Sequence, residues 1–420
     1  MAEKFIIQPS PPLRGTLEIG GAKNAVLPVL AASILTGETS ILHNVPDLSD
    51  VADMAALLAS LGADTTWDKD GGTMRVCTGG VCSQVAQYEW VGKLRASFLV
   101  IGPLLARFGV AKVSLPGGCA IGTRPIDLHL KGLAALGATV SRSQGYVTVE
   151  AKRLTGARIY LDFPSVGATE NIMMAAALAQ GQTILENCAS EPEIVDLANF
   201  LNAAGANIRG AGTDTIKING VPTLGGCTHT IIPDRIEAGT FMVAAAITRG
   251  DVTLKNVMAD HVKPVIAKLK ESQVSVDTVP EGIRVWHSPH KDIVAADIKT
   301  LPYPGFPTDM QAQFMALMAV AKGTSIITET LFENRFMQVG ELKRMGADIK
   351  IESRSAVIEG IPKFAGAQVV ATDLRAGAAL TLAALAAEGT TEIQGLHHID
   401  RGYHRLEKQL QKLGANILRQ

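Results

Sequence analysis

The sequence has no excess of charge of either sign. Its 420 residues include 39 Lys and Arg and 40 Asp and Glu, giving a net charge of -1. A chain without a basic field cannot hold nucleic acid or an anionic membrane through counterion release. Any anion that this chain binds must therefore be held by a few locally placed cations.

Long apolar runs and cysteines are also scarce. The longest apolar runs, 97–106 and 376–387, fall well short of the roughly 20 residues that a membrane helix needs. The first residues, Met-Ala-Glu-Lys, are too acidic and the apolar stretch after them too short for a signal peptide. Five cysteines in a chain of this size do not indicate a disulfide scaffold. We therefore expect a cytoplasmic protein.

Short motifs of several common enzyme classes are missing. There is no Gly-x-Gly-x-x-Gly, Walker lysine, His-Glu-x-x-His, Cys-x-x-Cys or Gly-x-Ser-x-Gly. These absences disfavour dinucleotide enzymes, P-loop phosphotransferases and zinc hydrolases. His397, His398 and His404 lack a further ligand at a convincing spacing, so we expect no metal.

What the sequence does contain is a repeat of about 70 residues. Glycines that end an Ala-rich stretch and precede a β-branched one recur at positions 37, 109, 181, 250, 323 and 389, 66 to 73 residues apart. A Gly-Ala pair recurs at 62, 137, 205, 346 and 414, with a degraded copy at 271–273. Six units of helix, strand, amphipathic helix and two strands account for the length, which predicts an α/β fold.

The order of these units predicts two domains. Unit six lacks its closing strands, and the strand-like stretches 5–8 and 13–19 precede the first helix of unit one. We expect these N-terminal strands to complete unit six. One domain would contain residues 1–21 and 231–420, and the other residues 22–230. A solenoid of six units is the alternative, disfavoured because no polar capping units stand at its ends.

Cations recur where helices are predicted to begin. Helix N-termini carry partial positive charge and free N–H groups, so a cation there is unfavourable unless an anion offsets it. The alternative is pairing with Asp127, Asp234, Asp373 or Asp400. The seven residues, which together indicate a multiply anionic substrate, are Lys23, Arg95, Arg124, Arg235, Arg335, Arg375 and Arg401.

Two further features point to chemistry. Cys119 lies in the Gly-rich stretch 115–125, before a predicted helix and near Arg124, a setting typical of a reactive thiol in a loop that can close. Asp309 follows three prolines at another predicted helix start. A capping role is the common interpretation of such an aspartate, and a general base is the functional one.

Eight segments of the chain have a characteristic sequence: 20–24, 94–97, 116–122, 165–170, 233–240, 307–311, 333–336 and 373–377. Together they resemble the UDP-N-acetylglucosamine enolpyruvyl transferases, over essentially the whole chain. The Cys119 loop is the specific part, because the sister shikimate-pathway family lacks it. The resemblance implies two domains, each an inside-out α/β barrel of three βαβαββ units.

The activity implied by the resemblance is the first committed step of peptidoglycan synthesis. The enolpyruvyl group of phosphoenolpyruvate passes to the 3′-hydroxyl of UDP-N-acetylglucosamine through a tetrahedral intermediate, and phosphate is released. No cofactor, metal, nucleic acid, membrane insertion or protein partner is expected. A shikimate 3-phosphate enolpyruvyl transferase and a non-catalytic UDP-sugar sensor are the alternatives.

The resemblance also implies roles for individual residues. Cys119 would donate a proton to the methylene carbon and form an adduct with phosphoenolpyruvate or fosfomycin, and Asp309 would accept the hydroxyl proton. Phosphoenolpyruvate would be bound by Lys23, Asn24, Arg124, Arg335, Asp373, Arg375 and Arg401, of which Lys23 and Arg401 would also be catalytic. The UDP-sugar would be bound by Arg95, Arg124, Pro125, Ile126, Asp127, Leu128, Phe163, Pro164, Ser165, Val166, Gly167, Asp309 and Leu331.

Overall fold

The computed structural model describes residues 3–115, 126–288 and 290–420. These divide into two compact units. The first unit contains residues 3–20 and 233–420, and the second unit contains residues 21–115 and 126–232. None of the helices within these ranges is long and apolar enough to cross a membrane.

The described strands are short and evenly distributed along the chain. They are β1 (Phe5–Ile7), β2 (Arg14–Glu18), β3 (Thr39–His43), β4 (Asp64–Asp68), β5 (Thr73–Cys77), β6 (Val85–Ala86), β7 (Val110–Ser114), β8 (Thr139–Ser143), β9 (Tyr146–Glu150), β10 (Arg158–Tyr160), β11 (Gln182–Glu186), β12 (Asn207–Arg209), β13 (Thr215–Asn219), β14 (Thr228–Thr230), β15 (Asp251–Lys255), β16 (Ser275–Val279), β17 (Gly282–Trp286), β18 (Ile298–Lys299), β19 (Thr324–Thr328), β20 (Asp348–Glu352), β21 (Ser355–Glu359), β22 (Gln368–Val370), β23 (Thr391–Gln394) and β24 (Ile417–Arg419).

The described helices alternate with these strands. They are α1 (Lys23–Ala32), α2 (Ser49–Leu61), α3 (Tyr88–Val91), α4 (Ile101–Phe108), α5 (Asp127–Ala135), α6 (Val166–Ala176), α7 (Pro192–Ala203), α8 (Arg235–Ile247), α9 (Lys263–Glu271), α10 (Gln311–Ala319), α11 (Gln338–Arg344), α12 (Leu374–Leu385), α13 (Leu396–Ile399) and α14 (Leu406–Lys412). Short 3-10 helices cover Ser33–Leu35, Arg95–Val100, Ala259–Val262 and Thr308–Met310.

Among the described residues, six sheets of four strands share one arrangement. In each sheet the first two strands are parallel, and the other two are antiparallel to their neighbours. The orders are β14-β3-β5-β4, β6-β7-β9-β8 and β10-β11-β13-β12 in the second unit, and β22-β23-β1-β24, β2-β15-β17-β16 and β18-β19-β21-β20 in the first. The α/β fold of similar repeats that the sequence predicts is confirmed.

The N-terminal strands belong to two different sheets of the first unit, β1 to that of the sixth repeat and β2 to that of the fourth. The expectation that both strands complete unit six is therefore wrong for β2, which pairs with β15. In β1, Phe5 lies opposite Ile393 of β23 on one side and Arg419 of β24 on the other. In β2, Arg14 aligns with Asp251 in a parallel pairing to β15. Apolar residues of β1 alternate towards the core, since Phe5 and Ile7 are fully buried.

Helices with small residues occupy the interior of each unit. Every residue of α10 and α12 is buried, and α8 packs against both. Alanine and glycine let these helices approach closely: a Cβ atom on Gly239 of α8 would lie 2.8 Å from Met310 Sδ. In the second unit, α4 and α6 form the corresponding contact. The two cores are separate sets of buried apolar side chains.

Helix ends follow the glycine pattern read from the sequence. Helix α2 ends at Gly62, whose φ of 105° is the left-handed conformation that glycine adopts without strain. In the fourth repeat, where the Gly-Ala pair is degraded, Gln273 takes the left-handed conformation with a φ of 65°. The turn is therefore kept although the glycine is lost.

Candidate active site

In the second unit, a buried ion pair marks the start of α1. Lys23 Nζ donates to Asp50 Oδ2 at 3.1 Å, and the two side chains are 11% and 2% exposed. Lys23 is the first residue of α1, and Asp50 is in the first turn of α2. A buried lysine needs such a carboxylate, because an uncompensated charge in the interior costs several kcal/mol. Sequence reasoning found Lys23 but missed Asp50, whose position resembles that of any acidic residue at a helix start.

The backbone at the start of α1 adds a second attraction for anions. The residue before the helix, Ala22, provides no side-chain acceptor for the N–H groups of the first turn, and that turn contains no acidic residue. Lys23 and the half-buried Asn24 therefore lie where the partial positive charge of the helix is greatest. This arrangement suits a phosphate or carboxylate ligand.

In the first unit, two arginines converge on the carboxylate of Asp309. Arg335 Nη2 donates to Oδ1 at 2.6 Å, and Arg375 Nη2 donates to Oδ2 at 3.0 Å. The arginine side chains are 7% and 5% exposed, while that of Asp309 is 23% exposed. Two guanidinium groups stabilise the ionised carboxylate. Since an ionised carboxylate offers about four acceptor sites, Asp309 can receive a hydroxyl group while keeping both arginines.

The segment that carries Asp309 is fixed by a buried carboxylate. Glu329, 1% exposed, accepts a hydrogen bond from Thr308 Oγ1 at 2.8 Å and another from the backbone N–H of Leu331 at 2.8 Å. Arg335 Nη1 also donates to Thr308 Oγ1, at 3.2 Å. Glu329 thus connects the loop of Leu331 to the turn that begins at Thr308. No motif in the sequence indicated Glu329.

Asp373 caps the helix that carries Arg375. Its Oδ1 accepts from the backbone N–H groups of Arg375 at 2.8 Å and Ala376 at 3.0 Å. Burial by itself would lower the pKa of the Arg375 guanidinium, but the neighbouring Tyr403, Asp309 and Asp234 together raise that pKa above its ordinary value. Arg375 therefore stays charged although it is buried.

Two cations predicted to begin helices do not do so. Helix α13 ends at Ile399 with Asp400 as its C-cap, so Arg401 follows a helix. Arg335 precedes α11, which begins at Gln338. Both predictions of a helix start are wrong, because these arginines lie in irregular turns. Arg335 reaches Asp309 through a contact between distant parts of the chain. Arg401 and Asp373 share His398 as a neighbour. Burial and the charges of His397 and Arg401 lower the pKa of His398, and the charge of Asp373 opposes this shift.

The expected pairing partners of the cations also need correction. The ion pairs of Lys23, Arg335 and Arg375 use Asp50 and Asp309. Asp127 instead pairs with Arg142 at 2.7 Å, and Asp400 with Arg419 at 2.7 Å. Asp234 and Asp373 accept backbone N–H groups at the starts of α8 and α12.

The remaining second-unit residues expected at the nucleotide lie at helix starts. Arg95 begins a 3-10 helix, and Ile126, Asp127 and Leu128 form the start of α5. Ser165 accepts from the backbone N–H of Ala168 and so caps α6, which begins with Val166 and Gly167. Phe163, before Pro164 in the same loop, is 47% exposed. Three predicted residues, Cys119, Arg124 and Pro125, lie outside the described residues.

A histidine that the sequence analysis passed over lies beside these elements. His129 of α5 is buried, and its Nδ1 is 2.8 Å from Asn171 Nδ2, so Nδ1 accepts from that amide. Burial and the charge of Arg95 lower the pKa of His129 to about 3, so the ring is neutral. No group of three or more His, Cys, Asp or Glu side chains within the described ranges is arranged to hold a metal ion.

Comparison with known families shows which family the chain belongs to. A family model described as EPSP synthase (3-phosphoshikimate 1-carboxyvinyltransferase) matches residues 7–410. The chain belongs to the EPSP synthase family of enolpyruvyl transferases. This match confirms the wider enolpyruvyl transferase family, and the curated relatives confirm the resemblance to the UDP-N-acetylglucosamine transferases.

Curated relatives narrow the comparison within this family. The chain is 61% identical to UDP-N-acetylglucosamine 1-carboxyvinyltransferase 1 of Caldanaerobacter subterraneus, over 100% of both chains. It is 56% identical to UDP-N-acetylglucosamine 1-carboxyvinyltransferase of Gloeobacter violaceus, covering 97% of this chain and 88% of that protein.

Solved structures show the same fold. The enolpyruvyl transferase NikO from Streptomyces tendae matches with a TM-score of 0.90 at 27% identity, covering 100% of this chain and 99% of that one. EPSP synthase from Acinetobacter baumannii matches with a TM-score of 0.75 at 20% identity over 100% of both chains. The second match supports the fold alone.

Proposed function

We propose that this protein transfers the enolpyruvyl group of phosphoenolpyruvate to the 3′-hydroxyl of UDP-N-acetylglucosamine and releases phosphate. The observation that carries the proposal is the Asp309 carboxylate between Arg335 and Arg375, together with the Lys23–Asp50 pair at the start of α1. The names of the curated relatives support this acceptor. The reaction is the entry to peptidoglycan synthesis, and we assign it to the cytoplasm.

In the first chemical step the 3′-oxygen of the sugar bonds to C2 of phosphoenolpyruvate. Asp309 accepts the hydroxyl proton, and Cys119 donates a proton to the methylene carbon C3. The product of this addition is a tetrahedral phospho-ketal. Arginines already fixed in place stabilise the shifting negative charge without having to reorganise, which is an efficient source of catalysis. An acid and a base with different intrinsic acidity allow both transfers near neutral pH.

In the second step the bond between C2 and the phosphate oxygen breaks, C3 returns a proton to the Cys119 thiolate, and the C2–C3 double bond is restored as an enol ether. The proton taken by Asp309 leaves with the phosphate. The phosphate and carboxylate of phosphoenolpyruvate are held by Lys23, Asn24, Arg124 and Arg401. Asp373 and Arg375 support the phosphate end, together with Arg335. These assignments need only groups that the chain itself provides, and both substrates are anions.

The UDP-sugar is assigned to a further set of residues. The set lies mainly at the starts of α5 and α6, where backbone N–H groups suit phosphate oxygens. The assigned contacts are Arg95, Arg124, Pro125, Ile126, Asp127, Leu128, Phe163, Pro164, Ser165, Val166, Gly167, Asp309 and Leu331.

We also assign residues 1–21 with 231–420 to one domain and residues 22–230 to the other.

The test is phosphate release from phosphoenolpyruvate with two acceptors in parallel. Release with UDP-N-acetylglucosamine alone supports the proposal. Release with shikimate 3-phosphate instead would mean the activity named in the family model. If neither acceptor gives phosphate while UDP-N-acetylglucosamine binds, the protein is a sensor.

The role of Cys119 is tested on the same samples by intact mass. An adduct with phosphoenolpyruvate or fosfomycin is expected on the wild-type protein and not on Cys119→Ser. Cys82→Ser is the matched control, since Cys82 is an exposed free thiol. Labelling that survives Cys119→Ser would identify another nucleophile.

A further inference from the structure

The hydroxyl group of Tyr403 lies in a buried hydrogen-bond network of the first unit. Tyr403 is 1% exposed. Its oxygen is 2.8 Å from Thr240 Oγ1, 3.1 Å from Arg375 Nη1 and 3.3 Å from Gln313 Nε2. These partners come from α8, α12 and α10, so a single phenol connects the three central helices.

The direction of the hydrogen bonds follows from the number of protons. The Thr240 hydroxyl donates its proton to the backbone oxygen of Ile236 at 2.8 Å. It can therefore only accept from Tyr403, which donates its proton to Thr240. The phenol oxygen is left with its lone pairs, which accept from Arg375. One Gln313 Nε2 proton goes to the backbone oxygen of Asp309, and the other is shared between the phenol at 3.3 Å and Thr240 Oγ1 at 3.1 Å. The Thr240, Tyr403 and Arg375 bonds thus have one consistent orientation.

Two paths lead from this phenol to Asp309. The Arg375 guanidinium donates through Nη1 to Tyr403 and through Nη2 to Asp309 Oδ2 at 3.0 Å. Gln313 Nε2 donates to the backbone oxygen of Asp309 at 2.9 Å as well as to the phenol. Both the carboxylate and the backbone of Asp309 are therefore held by groups that also bind Tyr403.

The charges agree with this orientation. Burial raises the pKa of Tyr403, although Arg375 and Thr240 partly oppose the shift, so the phenol keeps its proton at neutral pH. A guanidinium has donors in a fixed planar fork. Fixing Nη1 on one acceptor consequently fixes the direction in which Nη2 points.

We propose that Tyr403 is a positioning residue for the transfer reaction, which it serves by orienting the Arg375 guanidinium towards Asp309. The inference rests on the proposed function, because it assumes that Asp309 is the base. Tyr403 has no role in proton transfer, since its own proton belongs to Thr240. Its effect reaches the substrate only through Asp309 and Arg375.

The main variant is Tyr403→Phe, which keeps the ring and removes the hydroxyl group. We expect kcat to fall at least tenfold, about 1.4 kcal/mol of barrier, while KM for UDP-N-acetylglucosamine stays within threefold of wild type. A loss confined to kcat marks an interaction needed in the transition state. A purely structural role would instead reduce the amount of folded protein and leave kcat per active site unchanged, so active-site titration and the thermal midpoint accompany the kinetics.

A matched pair of threonines provides the control. Thr240 and Thr381 are both buried in helices, and each donates to the backbone oxygen four residues earlier. They differ in that Thr240 belongs to the hydrogen-bond network of Tyr403. Thr240→Val should lower kcat at least threefold because the phenol proton loses its acceptor. Thr381→Val should leave kcat within twofold of wild type. Thr240→Ser, which keeps the hydroxyl group, should have a kcat close to that of wild type.

The outcomes separate this inference from the proposed function. If wild-type protein fails to release phosphate with UDP-N-acetylglucosamine, the proposed function fails. If wild-type protein is active and Tyr403→Phe keeps kcat within twofold, the positioning role is wrong. An equal loss in Thr240→Val and Thr381→Val would also overturn it, because the loss would then follow the buried hydroxyl and not the network.

Discussion

Helices α1 and α12 begin at equivalent places in their repeats but differ in the capping of their first turns. Asp373 caps α12 with its carboxylate, and the arginine that follows is compensated by Asp309. Helix α1 follows Ala22, which provides no side-chain cap, and its first residue is Lys23. Because Asp50 compensates Lys23, what α1 offers an incoming anion is the set of N–H groups of a first turn without a side-chain cap. The first arrangement therefore fixes Asp309, the proposed base, and the second is suited to a ligand.

The largest expected effect comes from the first-unit side of this comparison. Asp309→Ala should reduce kcat by roughly 100- to 10,000-fold, the range for losing a general base, and leave UDP-N-acetylglucosamine binding within a fewfold of wild type. Steady-state kinetics measure kcat, and calorimetric titration measures the affinity for UDP-N-acetylglucosamine. Asp309→Asn, which keeps the shape but also lacks the charge, separates the loss of the carboxylate from the loss of side-chain volume. If kcat falls by less than tenfold in both variants, Asp309 is not the general base.

The second-unit side is tested at Lys23. Lys23→Gln should reduce kcat/KM for phosphoenolpyruvate by roughly 10- to 100-fold, since a hydrogen bond to a charged group contributes about 1.5–3 kcal/mol. Saturation kinetics at fixed UDP-N-acetylglucosamine measure it. Lys93→Gln is a control lysine, since its exposed side chain lies over Trp90. An unchanged kcat/KM for phosphoenolpyruvate would mean that the start of α1 does not hold this anion.

Helix α8 sharpens the comparison through pH. Glu237 in its first turn is buried and accepts from the Gly20 backbone N–H at 2.9 Å. Burial and the charge of Asp234 raise the pKa of Glu237 to about 7. A carboxyl with a raised pKa binds more protons when folded than when unfolded, so its contribution to stability falls as pH rises from about 4.5 towards 7.

Glu237→Gln should therefore stabilise the protein at pH 8 relative to wild type by on the order of 2–3 kcal/mol, and by much less at pH 5. Unfolding in denaturant at both pH values measures the difference. Glu388→Gln, at an exposed ion pair with Lys363, should show no such pH dependence. Equal pH dependence in Glu237→Gln and wild type would show that Glu237 does not titrate with a raised pKa.

The smallest effects come from exchanging the caps. Asp373→Ala should cost about 1 kcal/mol of unfolding free energy through loss of the cap of α12. Ala22→Ser should add a cap to α1 and raise KM for phosphoenolpyruvate roughly two- to fivefold, because its hydroxyl, a cap contributing about 0.5–1 kcal/mol, competes with the anion for the same N–H groups. Thermal unfolding and steady-state kinetics measure the two effects. A serine that stabilises the protein without changing KM would separate the helix start from the substrate.

Local patterns predicted the repeats, the helix ends and several charged residues correctly. The glycines at 62, 137, 205, 346 and 414 take left-handed conformations, as the end of a helix requires. Lys23 does begin a helix, and Asp234 and Asp373 are caps. Each of these features depends on residues within one turn of each other, so the sequence displays it directly.

Arg401 and Arg335 show where local patterns fail. Both follow or precede helices in irregular turns, where no 3.6-residue period constrains the backbone. Glu329 and Tyr403 were missed for a related reason. A buried carboxylate or phenol looks like any other in the sequence until the elements that satisfy it are known, and the partners of Tyr403 are up to 163 residues away.

The sequence by itself therefore determined the repeat, the α/β class, the family and the positions of charge along each repeat, because glycine conformations, apolar periodicity and motifs are local properties. Only the tertiary structure decided which charges meet. It selected Asp50 for Lys23, and it joined Arg335 and Arg375 at Asp309. These contacts form between segments distant in sequence, where packing fixes the distance between charged atoms and burial makes an unpaired charge too costly.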